Sequence, residues 1–339
     1  RATAFGSRSG PRRRAPRAAT VHRHRGRADA MLIGLKVDVA TLRGTREGVP
    51  ALVELFRRHG VGATFFFTLG PDRTGRALGR ALKAGYAGKA RGSGAIEHYG
   101  AATLMYGTLL PAPDIARRAG DAMRMARDEG FETGVLAHDH ARWLAGAATA
   151  DAAWTSDEMR RACERYSDVF KESPRTHGAA GWQMNVHALR LTQRLGFDYA
   201  SDGRGTHPHL PCWNAEPVRC PQFPTTLPTL DELIGMAGVD PANVADRVLA
   251  LTDAPSPAGH VFTLHAELEG GRLLPVLEQL VAGWKAQGWT PSSLRSLYRS
   301  VEPLALPRCS VGIGAVPGRR GTLFVQQAPF PGEALPRAA

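Results

Sequence analysis

The chain is predicted to be an α/β protein, folded as one barrel or one doubly wound sheet, on three observations. Short apolar strand-like runs alternate with amphipathic helical stretches over about 270 residues, the pattern of parallel strands joined by crossover helices. The first unit, residues 31–68, reads strand, loop, helix, strand, which places its two strands parallel. The polar residues that stand out, Asp38, His140, Asp202 and His265, fall at or just after the C-terminal ends of strand candidates. In a β/α barrel that end is the rim where reactive groups are assembled.

Residues 31–38 (MLIGLKVD) form a short apolar run that ends in an acid, the sign of a buried strand delivering a polar group. A Gly- and Arg-rich turn follows, and Pro50 sits where a first helical residue should. Ala51, Leu52, Leu55 and Phe56 then make a helical stripe up to Gly60, and residues 61–68 (VGATFFFT) are the second strand. The pattern is irregular through an insertion near 85–112. A helix over 114–128 stops at Gly130, a strand covers 131–137 (FETGVLA), and Ser156 caps a helix over 157–171. The segment HGAAGW precedes a helix opened by Asn185, and then come a strand-like FDYASD and a Pro-rich loop over 207–228. A helix follows Pro241, 260–266 (HVFTLHA) is a strand and 273–287 a helix, while signals after Ser300 are weak. The organisation expected is an Arg-rich extension over 1–30, a single α/β domain over 31–300, and a C-terminal extension over 301–339, partly packed with a disordered end.

The net charge of +12 suggests nucleic acid until it is located. Residues 1–30 hold nine Arg and one acid, hence +8, and the other 34 basic and 30 acidic residues leave +4. So mild a balance does not argue for a phosphate-binding surface, and no nucleic-acid partner is expected. The tail reads as a disordered or spurious extension ahead of a start at Met31; an Arg-rich transit peptide and a nucleic-acid arm are the other readings. No run of 18 apolar residues exists, so no span is expected. The four cysteines (Cys163, Cys212, Cys220, Cys309) show no zinc-ribbon spacing and read as free thiols, although Cys212 and Cys220 could meet across the Pro-rich loop.

Taken singly, the polar residues also have ordinary readings. An Asp closing a strand often caps a loop, and a His inside FTLHAELEG often packs in a barrel. The pair His138 and His140 in LAHDHARW is more pointed, because i,i+2 spacing can bring two imidazoles to one cation, but a third ligand is needed.

Together, the blocks LKVDVATLRGTREG, FFFTLGPDRTGR, HGAAGW, ASDGRG, FPTTLPTLDELIG and FTLHAELEG resemble the polysaccharide-deacetylase (NodB-homology, carbohydrate esterase family 4-like) family. They are most similar to its branch that deformylates undecaprenyl-phosphate-linked 4-deoxy-4-formamido-L-arabinose. The resemblance runs from about Leu32 to Gln327 and implies a distorted β/α barrel. It also implies metal-assisted amide hydrolysis in lipid A modification and cationic-peptide (polymyxin) resistance, with a divalent Zn, Mn or Co ion as cofactor. The partners implied are the lipid-linked aminosugar and, peripherally, the cytoplasmic face of a Gram-negative inner membrane; the Tyr- and Leu-containing stretch near 95–112 is the candidate docking element, with a packed barrel edge as its other reading. By the same resemblance Asp38 falls on the general base, His265 on the general acid and His140 on a metal-binding His, with Asp202, Arg204 and Trp182 in support.

Three positions depart from the family pattern. The Asp-Val-Asp of its first block is Asp38-Val39-Ala40 here, its first metal-binding His is Leu136, and the Arg after the Gly-Trp pair is Gln183. Losing even a partner of a metal ligand typically costs about 10–100-fold in affinity or activity, and losing two ligands should cost more. The alternative expectation is therefore a catalytically impaired member that still binds a lipid-linked sugar. An Asp38–His138–His140 set is a conceivable substitute, at the expense of the base.

Overall fold

The computed structural model describes residues 31–81, 99–234, 236–319 and 321–330. The Arg-rich stretch 1–30, residues 82–98 of the expected insertion and the end 331–339 lie outside them. The described residues belong to one compact unit.

Strand β1 (Leu32–Val39) sits inside the sheet, between β2 (Thr64–Thr68) and β8 (His260–His265), and is parallel to both. Outward from β2 come β3 (Glu132–Ala137), β4 (Thr176–His177) and β5 (Tyr199–Ala200), all parallel, and β9 (Thr290–Ser292) pairs with the start of β1. Strand alternation sorts β1 cleanly. Ile33, Leu35, Val37 and Val39 enter the outer core with Phe65, Phe67, Phe262 and Leu264, packed under the helices. The alternate residues Gly34, Lys36 and Asp38 take the other face, as do Phe66 of β2 and Leu136 of β3. Two of the crossover helices that cover the outside are α1 (Val49–His59), with Pro50 in its first turn, and α4 (Ile115–Asp128), capped by the Asp114 side chain. Between them lie α2 (Thr74–Ala81) and α3 (Ala101–Met105).

The sheet is a curled half-barrel rather than a closed ring. Its gap between β5 and β8 is bridged by residues 221–227, read from the sequence as a loop. Phe223 N–H donates to Ala200 O, Thr225 N–H to Gly203 O, and Thr226 N–H to Val261 O. Pro221 and Pro224 have no N–H to give, so the segment makes isolated bridges instead of a regular ladder. The distorted barrel expected above is the fold observed, and the distortion has this cause.

Other elements differ from expectation. The helix expected from Ser156 is α6 (Ala152–Phe170), and it starts earlier because Asp151 accepts a hydrogen bond from Trp154 N–H and caps it. It follows α5 (His140–Gly146). Helix α7 (Val186–Arg194) opens at Asn185 as expected. The Pro-rich stretch holds β6 (Leu210–Trp213) and β7 (Glu216–Pro217), followed by α8 (Leu230–Ile234), α9 (Val244–Leu251), α10 (Leu274–Ala286) and α11 (Leu294–Ser300). After Ser300, where signals are weak, β10 (Arg308–Gly314) and β11 (Leu323–Pro329) form a hairpin that pairs with β6 in a second, four-stranded sheet. None of the four cysteines is in a disulfide.

Candidate active site

Asp38 and His265 end neighbouring strands and stand in register across the β1–β8 pair. The pairing puts both side chains on the inner face at the C-terminal rim. Asp38 is buried, and its Oδ1 lies 3.4 Å from the ammonium of Lys36, two residues earlier on the same face. Lys36 is fully buried, with its ammonium 5.6 Å from the Phe66 ring centroid and 5.4 Å from that of Trp182.

His265 is ringed by acids. Its Nδ1 is 3.7 Å from Asp231 Oδ1, and its backbone N–H donates to Glu269 Oε2 at 2.7 Å. Burial disfavours the charged ring, but the carboxylates of Asp231, Glu269 and Asp38 outweigh it and raise its pKa above the usual imidazole value, against the opposing charge of Arg319. That protonation state suits a proton donor. Glu269 is fully buried, and burial pushes its pKa up to about 7 even with His265 beside it. Glu267 works on the backbone instead: its Oε1 accepts from Ala40 N–H, Thr41 N–H and the Thr41 hydroxyl. A Cβ on Gly44 would fall 2.2 Å from that oxygen, and one on Gly48 would fall 2.1 Å from Ala266 O. The glycines of the RGTREG block are therefore required by close approach.

The supporting residues form a second layer. Asp202 is fully buried and accepts from Ala179 N–H and Gln222 Nε2, with its Oδ1 2.6 Å from His177 Nδ1. Arg204 donates to Glu232 Oε1 at 2.5 Å and stacks on Trp182 at 5.0 Å, while the indole N–H of Trp182 donates to Thr225. Glu232 also accepts from Thr229 N–H with its other oxygen, a contact across the first turn of α8, the helix that carries Asp231.

The positions assigned to metal binding are not assembled into a donor set. Ala40 and Leu136 lie together in an apolar cluster with Phe66, Trp143 and Met184. His140 opens α5 behind the capping carboxylate of Asp139, and burial, then the charge on His265, pushes its pKa down to about 4. His138 turns elsewhere: a Cβ on Gly70 would fall 2.8 Å from its Nε2, and the charges that act on it are Asp139, Arg161, Arg165 and Asp114. Gln183 donates to Thr322 O at 2.9 Å, toward the C-terminal hairpin. Among the described residues no three His, Cys, Asp or Glu side chains converge as a cation site. A divalent ion does not fit the residues present, because two of its three expected ligands are hydrocarbon.

Sequence reasoning missed Lys36, Asp231, Glu267, Glu269 and Arg319. The blocks TLPTLDELIG and FTLHAELEG contain three of them, Asp231, Glu267 and Glu269, and acids at i,i+1 and i,i+2 were the available signal. Arg319 had none.

An open cavity of about 530 Å³ lies to one side, lined by Pro71, Arg73, Arg76 and residues 107–112, among them the exposed Leu109 and Leu110. Arg73 on its wall forms an ion pair with Asp139, the residue between His138 and His140.

The chain is 37% identical over 250 residues to a protein of Shewanella sediminis named a 4-deoxy-4-formamido-L-arabinose-phosphoundecaprenol deformylase, covering 74% of this chain and 80% of that one. A protein of the same name from Wigglesworthia glossinidia brevipalpis is 27% identical over 287 residues, covering 84% and 98%. Among solved structures, one described as a polysaccharide deacetylase from Mycobacterium smegmatis superposes with a TM-score of 0.57 at 15% identity, covering 86% of this chain and 97% of that one; it supports the fold. No family model matches. With the rim geometry and these relatives together, the chain belongs to the 4-deoxy-4-formamido-L-arabinose-phosphoundecaprenol deformylase family of carbon–nitrogen hydrolases, on the polysaccharide-deacetylase fold.

Proposed function

We propose that this chain hydrolyses the formamide of an undecaprenyl-phosphate-linked 4-amino sugar, with Asp38 and His265 as its acid–base pair, in a lipid A modification that confers cationic-peptide resistance. The observation that carries the reading is the register of these two side chains on adjacent strands at one rim. Asp38 takes a proton from water, whose oxygen bonds to the formyl carbon. His265 gives its proton to the sugar nitrogen as the carbon–nitrogen bond breaks, releasing formate and the free amine. In the family a cation polarises the carbonyl. The residues here do not hold one, and no step is assigned to it.

Acid–base chemistry alone contributes about 10²–10⁴-fold, far below the acceleration typical of an enzyme. Turnover should therefore be slow. The second reading, a member with its sugar-lipid groove kept and turnover lost, is favoured by one observation: the Ala40–Leu136 patch is packed as core. Formate release from the lipid-linked formamido sugar separates the two. Slow turnover, cut about 100-fold or more by Asp38→Asn and by His265→Gln, supports the first reading. No release above the uncatalysed rate supports the second.

Substrate contact is proposed at the open cavity, where Arg73 and Arg76 would face the lipid phosphate and Leu109 and Leu110 would meet the acyl boundary at the cytoplasmic face of the inner membrane. Among the described residues no helix is long and apolar enough to cross a membrane. Leu109→Asp with Leu110→Asp should abolish flotation with anionic vesicles; unchanged flotation removes this docking site.

A further inference from the structure

The turn between β10 and β11 carries Arg319 into the barrel mouth. Its guanidinium carbon is 4.3 Å from the Trp182 ring centroid, its Nε donates to Glu232 Oε1 at 2.6 Å, and its Nη2 is 3.5 Å from Asp231 Oδ2. Arg204 holds the same Glu232 oxygen and also stacks on Trp182, so two guanidiniums share one acid and one indole. Arg319 alone of the two has a recorded ion pair with Asp231. The other oxygen of Asp231 accepts from the Thr229 hydroxyl at 2.5 Å and stands 3.7 Å from His265 Nδ1. A connected row results: Arg319, Asp231, His265.

The hairpin is tied down where this row needs it. Gln183, the residue after Trp182, donates to Thr322 O, and the φ of +80° at Gly318 turns the chain just ahead of Arg319. A Cβ at Gly318 would sit 3.2 Å from Glu232 O, so the turn lies directly on α8. The side chain at position 183 thus anchors the segment that supplies the guanidinium.

We propose that Arg319 is a positioning residue for the hydrolysis: it clamps Asp231 and Glu232 against Trp182 and so keeps the Asp231 carboxylate on His265 Nδ1. With the carboxylate 3.7 Å from Nδ1, at ion-pair distance from the protonated ring, Nε2 would be the nitrogen left to the departing amine. Acid and base side chains in many hydrolases are oriented by a third group in this way, and a partner one step removed typically matters about 10–100-fold. Asp231 is itself half-exposed, with side-chain exposure of 42%, and Arg319 holds its Oδ2 while the Thr229 hydroxyl holds its Oδ1. The inference rests on the deformylase reading for its meaning, but its geometry does not.

The test uses the full chain carrying Arg319→Met, which keeps apolar bulk over Trp182 and removes the charge, and Arg319→Lys. On the lipid-linked formamido sugar, Arg319→Met should lower kcat about 10–100-fold with KM within about twofold, and Arg319→Lys should restore part of it. In an Asp231→Asn background, Arg319→Met should add no more than about twofold. Independently of turnover, the His265 ring-nitrogen NMR signals, assigned by their loss in His265→Gln, should shift in Arg319→Met. An unmoved His265 signal, a change in KM alone, or an undiminished effect beside Asp231→Asn would overturn the proposal. If the wild-type chain releases no formate, the deformylase reading fails and the His265 signal alone decides for or against the clamp. If Arg319→Met does not fold, Arg319→Lys carries the same readouts at smaller amplitude.

Discussion

The two halves of the barrel mouth have been kept to different standards. On the β8 side, Asp38, His265, Asp231, Glu269 and Arg319 form a charged network in which each member has an identified partner. On the β3 side, Ala40 and Leu136 have joined Phe66, Trp143 and Met184 in hydrocarbon packing. Amide hydrolysis needs a proton acceptor, a proton donor and something to polarise the carbonyl. In the proposed reading the charged half would supply the first two, and the apolar half is where the third would be held. If Asp38 and His265 are the acid–base pair, the difference teaches that such a pair is held in place by its own local partners and not by the electrophile site beside it.

Refilling the apolar half tests this most strongly. Ala40→Asp with Leu136→His should create near-stoichiometric binding of zinc, manganese or cobalt and raise formate release by about 10³-fold, since a Lewis acid on the carbonyl supplies several kcal/mol. Leu136 is fully buried, so the His alone should destabilise the metal-free chain by about 1–3 kcal/mol, the cost of an unsatisfied buried polar group. Added metal should then recover that loss, read as a metal-dependent melting temperature. Stoichiometric metal without a gain in turnover would show that the charged half is also out of position.

The charged half is tested through Lys36. Its ammonium and Asp38 are buried together, and removing one partner of a buried pair costs about 3–5 kcal/mol because the other is left uncompensated. Lys36→Met should lower stability by that order in urea unfolding, and adding Asp38→Asn should return much of it. If the single and double variants unfold alike, the pair is not what holds Asp38 in place.

These partners differ in how far the sequence exposes them. Strands β1, β2 and β8 are legible because apolar runs and period-two alternation are local signals, and Asp38 and His265 are legible because each closes such a run. Lys36 was hidden inside an otherwise apolar run, where its burial depends on Asp38, Phe66 and Trp182 all facing one interior. Asp231 and Glu269 read as ordinary surface acids, since nothing within a few residues shows that both turn toward His265. The β10–β11 hairpin escaped because Gly312 and Gly314 dilute its strand pattern and its partner, β6, contains Pro211 and lies about a hundred residues earlier. Arg319 depends on that long-range pairing, so no local pattern could place it.

The smallest effect isolates the role of the carboxylates by comparing two buried histidines. His265 has acids around it and its pKa goes up. His209, at the foot of β6, is buried to 1% exposure without a carboxylate, and burial pushes it down to about 4, helped by the neighbouring His207 and opposed by a hydrogen bond to the His207 carbonyl. The unfolded chain protonates His209 near pH 6.5 while the folded one stays neutral until about 4. Its contribution to stability is therefore intact above pH 6.5 and is lost as the pH falls toward 4. His209→Leu removes that proton uptake. Between pH 7 and pH 5 the stability of the variant should shift relative to wild type by about 1–2 kcal/mol in the variant's favour, measured by urea unfolding at both values. A constant difference would mean that His209 finds a partner in solution, and the contrast with His265 would no longer rest on the acids alone.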